Sequence, residues 1–276
     1  MFVYKCSDRW ILQKSPSMWR ILLLVLAIAS VTPIIALSAS AAVSEEEGPL
    51  VANNSKLSPS LQEWSNAGEL IEVGDFNVFV LDIGSSNANP ENTILVFHGF
   101  PESSYSFHKV LPGLSERFDR VILFDFIGYG LSDKPLKGFE YSISAHADTA
   151  LEVWRKLGAN AGGPVTGGHL LATDMGTTVA TELVARDNEN ALPDWFSIGF
   201  QSLTFTNGVM VLERANVNPF QLLLASPIGF ITAPFAIEPF VMGNVEYSDG
   251  SGKLSDEDLN LMWETLRRAR LGPPTR

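Results

Sequence analysis

Between Glu69 and Asn207, short apolar runs alternate with stretches long enough for helices. In "ELIEVGDFNVFVLDIG" (69–84), two runs of alternating character flank Gly74-Asp75, a pattern that predicts a β-hairpin. "TILVFHG" (93–99) and "RVILFDFIG" (120–128) are nearly all apolar and are separated by a helix-length segment, as expected for buried parallel strands joined by a crossover. A helix is predicted from Ser144 to Leu157, with Gly158 placed to stop it. "HLLATDMGTT" (169–178) begins as a β-run and ends at Asp174; a helical pattern follows from about Met175 to Arg186, then another strand in "FSIGFQSLTFTN" (196–207). Strands alternating with helices predict an α/β fold with a mostly parallel, doubly wound sheet entered through an antiparallel hairpin.

On either side of this body the texture changes. Residues 44–68 are polar and rich in Ser, Asn and Pro, which reads as a linker. Residues 207–276 lose the strand-turn-helix rhythm: the first half is apolar, aromatic and punctuated by proline, and Ser255 with Asp258 then forms a capping-box-like start to a helix running to about Arg270. The segment reads as a helical lid. A membrane-associating stretch is the alternative, weakened by Glu213, Arg214 and Glu238. At the amino end, residues 21–43 carry no charge, follow a basic stretch, and include Ala39-Ser40-Ala41 before the acidic "SEEE". Residues 1–43 therefore read equally as a cleaved signal peptide or as an uncleaved signal anchor, and either sends the body into the secretory route, to be secreted or membrane-anchored. On that route Asn53, in Asn53-Asn54-Ser55, is a glycosylation candidate.

Charge narrows the partners. The 276 residues carry a formal net charge of −12, and leaving out residues 1–41 gives 15 basic against 30 acidic residues, a net −15. Such a surface repels phosphate backbones, so no nucleic-acid partner is expected, and a membrane would be met only through residues 21–43. Cys6 is the only cysteine, which rules out an internal disulfide. No cluster of metal-ligand spacing and no cofactor motif is present, so neither a metal nor a cofactor is expected.

Three motifs fall at the carboxyl ends of predicted strands, where an open α/β sheet places its site. They are "FHGFPES" (97–103), "DFIGYGLSDKP" (125–135) and "ATDMG" (172–176). Asp174 sits between Ala172 and Gly176, the small residues that a tight strand-to-helix turn needs two places before and after a nucleophile. The alternative reading is that Asp174 caps the following helix, and the two roles are compatible. Asp125, Gly128, Gly130 and Ser132 read as a turn that fixes the neighbouring loop, with the glycines serving positive φ or close packing.

The ordered trio resembles the α/β-hydrolase superfamily, specifically its epoxide hydrolase and haloalkane dehalogenase group. The phrase "HGFPESSYSFHKVLPGLSERFDRVILFDFIGYGLSDKP" is most similar to epoxide hydrolases and to mesoderm-specific transcript proteins. The resemblance covers residues 69–206 and implies an α/β-hydrolase core there, beneath a lid in 207–276. It further implies that Asp174 attacks carbon to form an alkyl ester, and that His98-Gly99-Phe100-Pro101 is the oxyanion loop. There the backbone N–H groups of Phe100 and Met175 would stabilise the oxyanion formed when the ester is hydrolysed. His98 itself is expected to be a hydrogen-bonded loop residue, not the base.

The chain also departs from the family. Met175 stands where haloalkane dehalogenases and epoxide hydrolases commonly carry tryptophan, and Phe100 where dehalogenases often carry asparagine, which argues against halide stabilisation by those side chains. Tyr247 is the only tyrosine after Asp174, where the family's lid tyrosines would be. His98, His108, His146 and His169 all precede Asp174, whereas the family's acid and histidine follow the lid. His169 opens the strand that ends at Asp174 and would lie roughly 16 Å from it; His146 is expected to be structural. The expectation is an epoxide-hydrolase-like enzyme acting on an apolar small molecule, in a chain that lacks the last strands of the sheet and stalls after alkylation. The alternatives are a non-catalytic binding protein on the same scaffold and a serine hydrolase using Ser103 or Ser132, neither of which sits on an elbow.

Overall fold

Alternation in the 69–84 segment produces the hairpin that the sequence predicts. β3 (Glu69–Val73) and β4 (Phe76–Gly84) pair antiparallel, with Val73 opposite Phe76 across the Gly74-Asp75 turn. These strands belong to a computed structural model that describes residues 4–6, 9–11, 57–135, 137–159, 165–166, 168–193, 196–198, 200–208, 222, 226 and 255–267. The apolar stretch 21–43, Asn53 and Tyr247 lie outside the described residues, as does nearly all of 209–254. Among the described residues, no helix is long and apolar enough to cross a membrane.

The chain divides into two units, Met1–Gly48 and Pro49–Arg276. In the first, β1 (Tyr4–Cys6) pairs antiparallel with β2 (Arg9–Ile11). The second contains α1 (Pro59–Ala67), the β3–β4 hairpin, β5 (Thr93–Phe97), α2 (Leu111–Arg117), β6 (Arg120–Phe124), α3 (Ile143–Ala159), β7 (Val165–Thr166), β8 (His169–Thr173), α4 (Met175–Asn188), β9 (Phe196–Ile198), β10 (Ser202–Thr206) and α5 (Asp256–Arg267). Six strands form one sheet in the order β10-β8-β5-β6-β4-β3. The first four are mutually parallel, and β4 and β3 join antiparallel at one edge.

Period-two alternation divides the sheet's side chains between two cores. Val78, Val80, Leu95, Phe97, Ile122, Phe124, Leu170 and Ala172 face α3 and α4, meeting Ala147, Val153, Trp154, Val179 and Leu183. Phe79, Leu81, Ile94, Val96, Val121 and Leu123 face the other way, against Leu61 and Trp64 of α1 and Leu261 of α5. All five residues of β5 and of β6 are buried, which explains why, after Thr93 and Arg120 at their starts, the runs are wholly apolar. The one charge among them, Arg120, is matched across the sheet by Asp82, whose two oxygens accept its Nε and Nη2 hydrogens at 2.9 and 2.6 Å.

Three boundaries differ from the sequence reading. The linker expected over 44–68 does not reach its far end: residues 59–67 are helical, and Leu57, Leu61 and Trp64 are buried. Leu61 and Trp64, three residues apart, lie on one face of the helix, and Leu57 packs into the same core just before it, a signal that the Ser- and Asn-rich surroundings hide. α3 continues through Gly158 to Ala159. The segment 196–207 is two strands, with β9 paired to β7 in a separate two-stranded sheet and β10 alone joining the main one. The capping box at Ser255 forms as expected: Asp258 N–H donates to Ser255 Oγ at 3.1 Å. The helix it opens lies on the second core, through Leu261, and is tied to α1 where Ser58 N–H donates to Glu264 at 3.2 Å.

Candidate active site

β8, β5 and β6 are neighbours and run in one direction, so the three motifs that follow them emerge side by side at one end of the sheet. Phe97 is opposite Ala172, which brings His98-Gly99 level with the residues leading into Asp174. A single residue reverses the chain between β8 and α4. Asp174 does this at φ 47° and ψ −119°, a region that residues with a Cβ avoid at a cost of about 1–3 kcal/mol. Three bonds hold it there: its N–H donates to Thr206 O at 3.1 Å, its carbonyl accepts from Thr177 N–H at 3.0 Å, and its Oδ1 accepts from Phe100 N–H at 2.9 Å.

The expectation that Asp174 also caps α4 with its side chain is corrected by this arrangement. No side-chain capping bond forms, because the carboxylate turns toward the 98–101 loop. Close approach also explains the glycines. A Cβ on Gly99 would fall 2.5 Å from Asp174 Cβ, and one on Gly176 would fall 2.6 Å from His98 O and 2.7 Å from Phe97 O. Ala172 is fully buried against β5. Met175 opens α4, so its N–H is among the first-turn amides that have no partner within a helix. Phe100 and Pro101 are joined by a cis peptide bond.

The other residues read as structural are so placed. His98 is fully buried; its Nδ1 lies 2.8 Å from Gly99 O, and its Nε2 accepts Phe126 N–H at 3.0 Å, an arrangement that requires the neutral ring with the proton on Nδ1. Burial lowers its pKa, partly offset by the charges of Asp125 and Asp174. With both nitrogens engaged, His98 is unsuited to act as a base. Asp125 accepts from Ser104 N–H and Leu131 N–H, each at 2.7 Å, which pins the loop between β5 and α2 to the loop after β6. Ser132 donates to Asp125 O and accepts from Phe79 N–H, while Ser103 is buried and lies on no elbow. Gly128 and Gly130 take positive φ, 97° and 52°. His169 sits at the opposite end of β8 on Ser202 Oγ and Glu91 O; His108 bonds Tyr105 O and faces Asp258. His146 is buried among Phe126, Tyr129, Phe139 and Tyr141, and burial lowers its pKa to about 4.

Two residues that the sequence reading did not single out join the site. Glu102 is half-buried near Asp174, and its N–H donates to Gly99 O at 3.1 Å. Burial, reinforced by the Asp174 charge, raises its pKa to about 7, against a smaller opposing effect of the Gly99 backbone. Tyr129 donates its hydroxyl to Met175 Sδ at 3.4 Å, and its ring meets those of Phe100 and His98 edge-on at 6.3 and 5.4 Å. Burial, with the neighbouring Tyr141 and Asp174, raises its pKa to about 12. Both residues lie within the quoted motifs, in "HGFPES" and "IGYG", but no spacing rule distinguishes them there.

The result is a carboxylate on a strained turn with one oxygen held by a backbone amide, a second carboxyl that exchanges its proton near neutrality, and a phenol that stays protonated. Comparison with known proteins agrees with this architecture. Residues 92–220 match the family model described as the alpha/beta hydrolase fold. The chain is 34% identical over 211 residues to LipZ of Mycobacterium tuberculosis, covering 76% of this chain and 67% of LipZ. It is 36% identical over 169 residues to the mesoderm-specific transcript protein of Mus musculus, covering 61% of this chain and 48% of that protein. Among solved structures, epoxide hydrolase VrEH1 from Vigna radiata superposes with a TM-score of 0.52 at 19% identity, over 72% of this chain and 65% of that one. The chain thus spans between about half and two thirds of the length of these proteins. On its motifs, its sheet order and these matches, the chain belongs to the alpha/beta hydrolase fold family.

Proposed function

We propose that this hydrolase opens an epoxide on an apolar small molecule through Asp174. The observation that carries the reading is the Asp174 carboxylate, set on a strained strand-to-helix turn with Oδ1 on Phe100 N–H. Oδ2, the oxygen not held by Phe100, attacks the ring carbon and forms an alkyl ester, while Oδ1 becomes the ester carbonyl oxygen. Water then adds at Cγ, and the charge developing on Oδ1 falls where Phe100 N–H already points, with Met175 N–H as the second donor. Glu102, titrating near neutrality beside Asp174, is the group suited to take the proton from that water. An aspartate nucleophile favours attack on carbon over esterase chemistry, and the side chains of Met175 and Phe100 supply no polar halide donors, which favours an epoxide over a haloalkane. Residues 21–43 are read as delivering this body to the secretory route.

Incubating the purified full chain with styrene oxide, then measuring intact mass and diol, tests the reading. The expected result is either diol formation or a single adduct mapping to Asp174, abolished by Asp174→Asn. Neither adduct nor diol across a panel of aryl and alkyl epoxides would overturn it, and would favour a binding protein on the same scaffold.

A further inference from the structure

Polar contacts fasten α5 to the body of the fold at three places. Ser58 N–H and Ser60 Oγ donate to Glu264 and Glu257, each at 3.2 Å, and Asp258 meets the segment that follows the loop after β5. There Lys109 Nζ donates to Asp258 Oδ2, and His108 Nε2 lies 3.5 Å from Asp258 Oδ1. The histidine contact is unlike the others. His108 Nδ1 lies 2.8 Å from Tyr105 O, and because a carbonyl can only accept, Nδ1 carries the proton. In the neutral ring Nε2 is then a bare lone pair facing a carboxylate oxygen, two acceptors with no hydrogen between them. A proton on Nε2 converts this contact into a charge-assisted hydrogen bond. Stacking on the Tyr105 ring, at 4.4 Å and 15° between planes, holds the imidazole in this orientation. Asp258 is charged and waiting: burial alone would raise its pKa, but the bonds from Lys109 and Ser255 outweigh burial and hold it low.

We propose that His108 is a pH-responsive latch: its protonation fastens α5 to the segment 103–109, and loss of the proton loosens that helix. Among the described residues, the titratable groups around the His108–Tyr105 stack are Asp258 and Glu257 from α5 and Lys109 from its own segment, and α1 brings Ser60, which bonds Tyr105. Docking is strongest at about pH 5 and weakens as pH rises toward about 8, the range over which histidine changes charge. The latch reaches the candidate active site along the chain. Segment 103–109 continues directly from Phe100 and Glu102, and Ser104 within it is bonded to both Asp125 and Trp64. α5 docks in this way whatever the substrate, so the latch stands apart from the epoxide reading.

Hydrogen exchange of the full chain, read by mass spectrometry and corrected for the intrinsic rate, measures the docking, with the β6 amides as internal reference. Protection of residues 256–267 is expected to be about tenfold greater at about pH 5 than at about pH 8, the size of a bond to a charged group. Its midpoint is expected to coincide with the titration of the His108 ring, followed by the NMR signal of its Cε1–H. Glu102 titrates in the same window, so two variants assign the effect. His108→Phe keeps a ring to stack on Tyr105 but has no nitrogen, and Asp258→Asn keeps the shape and the backbone bond to Ser255. Each is expected to bring the ratio between the two pH values below about twofold, leaving less than one such bond's worth of difference. A ratio below about threefold in the unaltered chain overturns the proposal, since a bond to a charged group then does not form. So does a pH dependence that survives in either variant, or a midpoint distinct from that of the His108 ring.

Discussion

Asp174 and Glu102 are two carboxyl groups at the loop after β5: Asp174 accepts from Phe100 N–H, and Glu102, whose own N–H donates to Gly99 O, has its pKa raised by burial and by the Asp174 charge. The sign of the effect on stability follows from Glu102's raised pKa. The folded chain binds this proton more tightly than the unfolded chain does, so the contribution is fully present below about pH 4.5 and is lost as pH rises through about 7. Glu102→Gln removes that dependence. Its stability relative to the unaltered chain is expected to improve across this window and then level off, as measured by denaturant unfolding at a series of pH values. Parallel pH curves for the two chains would contradict the placement of Glu102. At this scale the nucleophile position was legible in the sequence, because a tight turn leaves a local mark in the small residues at 172 and 176. Glu102 and Tyr129 were not, because proton affinity follows from desolvation and from the charge of Asp174, distant from both along the chain.

At the scale of elements, α1 carries more than its composition suggests. Leu61 is completely buried and Trp64 nearly so; the indole N–H donates to Ser104 Oγ at 3.2 Å, and its ring meets Tyr105 edge-on at 5.3 Å. Ser104 is also bonded to Asp125, so α1 supports the loop that carries Phe100 and Glu102 from behind. Trp64→Ala is expected to cost about 3–5 kcal/mol in denaturant unfolding, by loss of buried area and the cavity left. A change under about 1 kcal/mol would mean that α1 docks weakly. The helix escaped the sequence reading because two buried apolar residues, Leu61 and Trp64, among Ser and Asn are a weak periodic signal. The Ser255–Asp258 box and the 74–75 hairpin were legible because each is written within a few consecutive residues.

For the whole molecule, the two edges of the sheet are unlike. β3 bears Glu69 and Glu72, charges that discourage pairing with another chain. β10, "SLTFT", has no charged residue, and among the described residues no strand pairs with its outer side. Leu203 on it is 39% exposed. The full chain is expected to self-associate through this edge at micromolar concentration, and Thr204→Lys to reduce the association, as read by size-exclusion chromatography with light scattering. A monodisperse monomer of the unaltered chain would contradict this.

The alternation of strands and helices, the hairpin, the capping box and the turn at Asp174 were determined by the sequence alone. Each arises from side-chain period or steric demand within a few residues, and such marks survive in a linear string. Only the tertiary structure decided the strand order β8-β5-β6, which brings Phe100, Tyr129 and Asp174 to one place. It alone decided that the Asp174 side chain turns to Phe100 N–H instead of capping its helix. Burial then set the protonation states, raising Glu102 toward neutrality, raising Tyr129 to about 12, and leaving His98 neutral with both nitrogens occupied. Such properties depend on distant neighbours and on exclusion of water, which no local pattern of residue types records.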